Sequence, residues 1–231
     1  MLSRREPATA LTARTTPTSA SRGRAPRALD AQGHREPRGV GVTAIILALV
    51  TGSLRRVLEA RGELTPSMVV RAMVPLSVRP ADEGRALGNR YATVFVGLPV
   101  GVATPDARVT ELRARLSRAV VTGGLSAGRA LVRVASRVGA PIERIGVELL
   151  SRRASLVVSN VPGPTGAHRI AGSALARVVA FAPVTGAVGL GVTFLGYDGA
   201  VSVGVASGMS SPTLPREVID GIARELEALS A

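Results

Sequence analysis

The sequence contains no cysteine and no lysine. The first absence excludes disulfides, thiolate nucleophiles and cysteine-ligated zinc. The second excludes a Schiff-base lysine and the lysine of a Walker A phosphate loop. It also leaves all 29 basic residues as arginine, which reads as the coding bias of a GC-rich genome rather than as selection for phosphate. Aromatic residues make up only 2% of the chain, so platforms for stacking single-stranded bases are nearly missing. These two features outweigh the formal net charge of +13, which alone would suggest a nucleic-acid partner. No nucleic acid is expected. The apolar run Ile45–Val50 falls short of the roughly 20 residues that span a bilayer, and Arg55 and Arg56 follow it closely. It reads as a buried helix, and no transmembrane segment is expected.

What is present suits a globular domain: 231 residues, 46% of them hydrophobic, enough to bury a core. Residues 1–40 stand apart, with eight arginines, three acids and almost no large apolar side chains. Such a segment cannot offset its ordering entropy by burial and is expected to be disordered. Its arginine-rich, acid-poor character resembles a transit peptide without a clear amphipathic helix. The folded domain is expected over 41–231. Val42, Ile45, Ile46, Leu49, Val50, Val57 and Leu58 keep helical spacing, closed by a capping Gly62. Met68–Val78 and Tyr91–Val100 read as strands, and Pro75 argues that the first is an edge or bulged strand. Arg79–Arg90 reads as a polar loop. Thr104-Pro105-Asp106 is a helix start: capping hydroxyl, proline, then an acid at the positive end of the dipole. Further helices are expected over Ser126–Val138 and from Pro141. Strands follow at Ser155–Asn160, Ala174–Phe181, Leu190–Tyr197 and Ala200–Ala206, with Asp198-Gly199 as a tight hairpin turn. Pro215–Leu229 closes the chain as a helix. The order predicts an α/β (α+β layered) domain.

The chemistry-bearing residues are few. Of two histidines, His34 lies in the arginine-rich segment and His168 on a loop with no orienting acid in sight, a solvated residue more readily than a general base. Gly124-Leu125-Ser126-Ala127-Gly128 matches the G-x-S-x-G elbow, but a helix rather than a strand is expected before it, and Ser126 reads as a helix cap. Gly186, Gly189 and Gly191 precede a strand, the wrong order for a phosphate cradle. Arg108, Arg115 and Arg118 read as a solvated helix face, with Glu111 pairing to Arg115. No carboxylate pair or metal-ligand cluster stands out in the sequence.

One stretch remains: Ser159-Asn160-Val161-Pro162-Gly163-Pro164, where an apolar strand runs into a polar pair and a rigid turn. Two prolines fix φ and Gly163 permits a sharp bend. This stretch resembles the "SNVPGP" signature of the bacterial wax ester synthase/diacylglycerol acyltransferase (WS/DGAT) family. Met73-Val74-Pro75-Leu76-Ser77-Val78-Arg79 is similar to that family's "VPVSVR". Leu87-Gly88-Asn89-Arg90 with Val96-Gly97-Leu98-Pro99 is similar to its "LGN…LP", Ala171-Gly172 to its "AG", and Leu190–Gly199 to its "GLNITVLSYNG". The likeness runs over about 42–231. It implies a fold like the CoA-dependent acyltransferases, mainly their C-terminal subdomain, with two α/β halves around a substrate channel. The implied function is transfer of a fatty acyl group from acyl-CoA to diacylglycerol or a long-chain alcohol. Acyl-CoA would be a co-substrate, and no resident cofactor is implied. Ser159, Asn160, Pro162, Gly163 and Pro164 would shape the channel rather than move protons. The family's "HHxxxDG" base motif does not occur here, its "ND" pair falls on Thr43-Ala44, and Gly166–Ile170 replaces its "PLW"-like wall. The expectation is therefore the C-terminal part of an O-acyltransferase, incomplete and without a catalytic residue of its own. It would be cytoplasmic, in peripheral contact with membrane or lipid droplets. Two alternatives are kept: a non-catalytic acyl-chain or partner-binding remnant, and an arginine-rich binder of anionic surfaces or nucleic acid.

Overall fold

The computed structural model describes residues 20–21, 40–77, 91–121, 153–184, 188–208 and 212–230. The chain forms helix α1 (Val40–Ala60), strands β2 (Val70–Ser77) and β3 (Tyr91–Leu98), helix α2 (Pro105–Val121), strand β4 (Leu156–Val161), a small hairpin β5 (Arg169–Ile170) and β6 (Ser173–Ala174), strands β7 (Leu190–Tyr197) and β8 (Ala200–Ser207), and helix α3 (Leu214–Ser230). A two-residue strand β1 (Ala20–Ser21) pairs antiparallel with Val205–Ala206, so these two residues of the segment expected to be disordered take part in the sheet. The sheet order is β1-β8-β7-β4-β2-β3, with β4 parallel to both β2 and β7 and the other pairs antiparallel. The helices expected from Ser126 and Pro141, and the loop Arg79–Arg90, lie outside the described residues.

Alternate residues of each strand explain the layering. Ala72 and Val74, Val94 and Val96, Leu156 and Val158, Val192 and Phe194, and Val203 and Val205 are all buried in one cluster with the apolar stripes of α1, α2 and α3. The three helices therefore cover one face of the sheet. The opposite face carries a much smaller cluster, Val157, Ala182 and Val188 with Met73 beside it.

Local signals account for the element ends. Gly62 has φ +68°, the Gly62 N–H donates to the Glu59 carbonyl and the Glu63 N–H to that of Leu58, which is a Schellman cap on α1. The Arg108 N–H donates to the Thr104 carbonyl at the start of α2, as the Thr-Pro-Asp signal predicts. Asp198 (φ +47°) and Gly199 (φ +70°) form the tight β7–β8 turn.

Three expectations are corrected. Pro75 does not mark an edge: β2 is interior, but its ladder with β4 covers only Ala72 and Met73, so no partner needs the N–H that Pro75 lacks. Ala174–Phe181 is not a strand beyond Ala174. Its continuation instead lies across the helix-free face, where a Cβ on Gly191 would stand 2.8 Å from the Ala182 carbonyl oxygen and one on Gly204 would stand 2.1 Å from that of Ala180. Two glycines on neighbouring strands thus make a flat bed for the 180–182 backbone. Finally, Gly41–Ala60 has the length and apolarity to cross a membrane, which the shorter run Ile45–Val50 concealed, although 78% of its most apolar stretch is buried within the fold.

Candidate functional site

The corner predicted from sequence forms at the C-terminal end of β4. Ser159, Asn160 and Val161 pair in parallel register with Thr193, Phe194 and Leu195 of β7. The chain then turns at Pro162-Gly163-Pro164 onto the β7–β8 hairpin. A Cβ on Gly163 would lie 1.8 Å from the Gly196 carbonyl oxygen, so only glycine permits this approach. The Asp198 N–H donates to the Pro164 carbonyl at 3.0 Å.

Tyr197 fixes the next segment. Its hydroxyl accepts from the His168 N–H and donates to the Leu175 carbonyl, each at 2.8 Å, and the Leu175 N–H donates to the His168 carbonyl. The excursion between the corner and the sheet crossing is thereby tied to β7. His168 is exposed, its Nδ1 lies 2.7 Å from the Gly166 carbonyl oxygen, and its ring is tilted beside that of Tyr197. No carboxylate contacts it among the described residues. The β5–β6 hairpin turns through Ala171 (φ +47°) and Gly172 (φ +82°), and Ile170, next to that turn, is 63% exposed.

The site residues expected from the sequence fall on two faces. Ser159 shares the helix-free face with Val157 and Thr193, while Asn160 alternates to the helix side beside Phe194. Ser159 and Asn160 are half-buried and make no side-chain hydrogen bond among the described residues. Pro162 and Pro164 are exposed. Thr193, which motif reasoning passed over, is 3% exposed and its hydroxyl has no hydrogen-bond partner among the described residues.

Of the arginine row on α2, Arg118 is exposed as expected, but Arg108 and Arg115 turn inward. Arg108 is 2% exposed, donates to the Val102 and Ala103 carbonyls, and pairs with buried Glu225 of α3. Arg56 of α1 reaches the other oxygen of Glu225 at 2.7 Å. Gly52 leaves the room, since a Cβ there would stand 2.2 Å from Glu225 Oε2. Burial pulls the Arg108 guanidinium below its ordinary value, and Glu225 opposes that shift. Arg115 pairs with Glu111 as expected but also donates to the Gly97 carbonyl on β3. These side chains, with Phe95, Val96 and Arg118, line an open groove of about 390 Å³ at the outer edge of the sheet, away from the corner. Gly189 and Gly191 serve the backbone: the Gly189 N–H donates to the Ser155 carbonyl, and Gly191 lies under Ala182. The Gly124–Gly128 stretch lies outside the described residues. Among the described residues no cluster of metal-ligating side chains occurs.

A mixed sheet with helices on one face, and an anchored corner at the end of a central parallel strand, make a layered α/β fold that solved structures share. The wax ester synthase/diacylglycerol acyltransferase from Marinobacter aquaeolei VT8 superposes with a TM-score of 0.64 at 16% identity, over 95% of this chain and 51% of that one. The epimerization domain of tyrocidine synthetase B shares the fold more distantly, with a TM-score of 0.51 at 11% identity over 82% of this chain and 42% of that domain. The sequence profile of the WS/DGAT C-terminal domain matches residues 87–230, and the chain belongs to that family. A probable diacylglycerol O-acyltransferase of Mycobacterium tuberculosis is 28% identical over 193 residues, covering 80% of this chain and 42% of the relative. A second, putative one from the same organism is 30% identical over 206 residues, covering 81% and 39%. The chain thus spans less than half the length of these relatives.

Proposed function

We propose that this domain forms one wall of an acyl channel and acts in transfer of a fatty acyl group from acyl-CoA to diacylglycerol or a long-chain alcohol. The observation that carries the reading is the anchored Ser159–Pro164 corner at the C-terminal end of β4 in a WS/DGAT-family domain. In the reaction the acceptor hydroxyl oxygen attacks the thioester carbonyl carbon, the C–S bond breaks, and the hydroxyl proton passes through a base to the departing CoA sulfur. That base is supplied from outside this domain. The sequence holds no "HHxxxDG", and no carboxylate contacts exposed His168 among the described residues. Ser159, Asn160, Pro162, Gly163 and Pro164 are shaping residues in this reading. Contact with membrane or lipid droplets is peripheral, and the site of action is cytoplasmic.

The test is complementation. The chain is combined with the first half of the tuberculosis relative, and labelled palmitoyl-CoA is offered with dioleoylglycerol or hexadecanol. Product is expected only from the combination. A second reading, a non-catalytic acyl-chain binder, is favoured by the exposed Val161, Ile170 and Phe181 on the segment that leaves β4 and crosses the sheet. It predicts palmitoyl-CoA binding without product in any combination, and that result would displace the first reading. Arg55, Arg56, Arg61, Arg108 and Arg115 are engaged by internal carbonyls and carboxylates, which weighs against the anionic-surface alternative.

A further inference from the structure

We propose that the outer edge of the sheet, along β3 and the groove beside α2, is a docking site for an extended peptide segment that alternates apolar and acidic side chains. The site lies away from the corner and is independent of acyl transfer. Among the described residues β3 has β2 on one side and no strand on the other. The Ser155 N–H donates to the Arg71 carbonyl, so Arg71 turns its backbone toward β4. Its register partner Gly97 therefore turns the opposite way, to the free edge, and so do Phe95, Thr93 and Tyr91 at steps of two. Arg115 agrees with that direction, since it donates to the Gly97 carbonyl at 2.8 Å. A Cβ on Gly97 would stand 2.9 Å from the same nitrogen, so glycine lets the guanidinium reach the edge.

Exposed edge strands are commonly blunted by charge, proline or a bulge. β3 has none of these: Tyr-Ala-Thr-Val-Phe-Val-Gly-Leu is uncharged, and its register with β2 runs unbroken over all eight residues. Such an edge accepts an added strand through main-chain hydrogen bonds. The groove selects which strand. Val94 and Val96 face the helices, so Phe95 faces the other side. An added strand would set alternate side chains beside the half-buried Phe95 ring and the rest toward α2, where Arg115 and exposed Arg118 line the groove. Apolar residues suit the first set and carboxylates the second. Glu111, the acid among the described lining residues, is paired with Arg115 at 3.0 Å, which leaves the lining net positive. A second copy of the chain fits less well, because two-fold pairing would bring the Arg115 and Arg118 rows of both copies together.

The test uses the full chain and two capped octapeptides, one of alternating valine and glutamate and one of alternating valine and arginine. Amide exchange read by NMR should slow by about 5-fold or more at Thr93 and Phe95 with saturating glutamate peptide, and not with the arginine peptide. Val94, whose N–H already serves the β2 ladder, should not change. Arg118→Glu should weaken the glutamate peptide about 5-fold, the worth of one ordinary polar contact. Thr93→Pro removes an edge N–H that β2 does not use, and should weaken it by a similar factor. If that variant melts early, the exchange pattern of the wild type decides alone. Binding without protection at Thr93 and Phe95 marks plain attraction to a chain of net charge +13 and overturns the site. Equal protection by both peptides, or no binding at millimolar peptide, overturns it as well. Protection that rises with protein concentration in the absence of peptide, with a doubled mass in sedimentation, assigns the edge to a second copy and also overturns the proposal.

Discussion

At the scale of single residues, the largest energetic commitment is Glu225. It is 3% exposed and faces two arginines from two other helices, Arg108 fully buried and Arg56 with 45% of its side chain exposed. Breaking a buried pair leaves an uncompensated charge, so Glu225→Ala should destabilise the domain by about 3–5 kcal/mol. Arg56→Ala should cost under about 1 kcal/mol, because that arm is solvated. Urea unfolding separates the two, and near-equal costs would show that Arg108 draws its compensation from the Val102 and Ala103 carbonyls instead. Glu217 gives the pH dependence. A hydrogen bond from Thr213, and then Arg61, hold its carboxyl below the ordinary 4.5 against the opposing effect of burial. A carboxylate with a lowered value in the fold contributes stability above 4.5 that is lost as the pH falls through its folded value. Glu217→Gln should therefore flatten the stability profile on the acid side, read from melts between about pH 5 and pH 3.

At the scale of elements, the corner is held by contacts that can be removed one at a time. Gly163→Ala places a methyl against the Gly196 carbonyl, which forces the turn off the hairpin. The expected outcome is a loss of about 1–3 kcal/mol and faster amide exchange at Asp198, whose N–H is held by the Pro164 carbonyl. Tyr197→Phe should speed exchange at His168 and leave Asp198 protected, since the hydroxyl serves only the later segment. How much of this was legible follows from distance along the chain. The Gly62 cap, the Thr104 start and the Asp198-Gly199 turn rest on neighbours, and each reads directly from sequence. The burial of Arg108 does not, because its partner lies 117 residues away and an arginine between apolar positions looks the same on a solvated face. Residues 175–184 carry a strand-like apolar pattern but cover a sheet instead of joining it, and only the glycines across from them, Gly191 and Gly204, reveal the difference. The motif led to Ser159 and missed Thr193, because the two meet only through the β4–β7 register.

At the scale of the whole molecule, the packing of α1 bears on whether this chain could be inserted in a bilayer. The segment Gly41–Ala60 could cross a bilayer by length and composition. In the fold, Leu47, Leu49, Leu54 and Leu58 are fully buried in the core shared with the sheet and the other two helices. Gly52 is closed in by the ion pair of Glu225 and Arg108. Moving α1 into lipid would give its own leucines an equivalent apolar surrounding, so that exchange is nearly neutral for them. The loss falls on what stays behind: apolar side chains of the two neighbouring helices and the sheet that share its cluster, such as Leu112 and Ile222, would lose cover, at about 1.5–3 kcal/mol for each large side chain. Several such losses exceed the whole stability of an ordinary domain. Membrane insertion of α1 therefore means unfolding, and the folded chain can touch a lipid surface only from outside. Membranes or lipid droplets carrying the chain should release it on washing with alkaline carbonate. Retention after that wash, together with protease protection of Gly41–Ala60, would show α1 to be a true span and the core packing to belong to a different state.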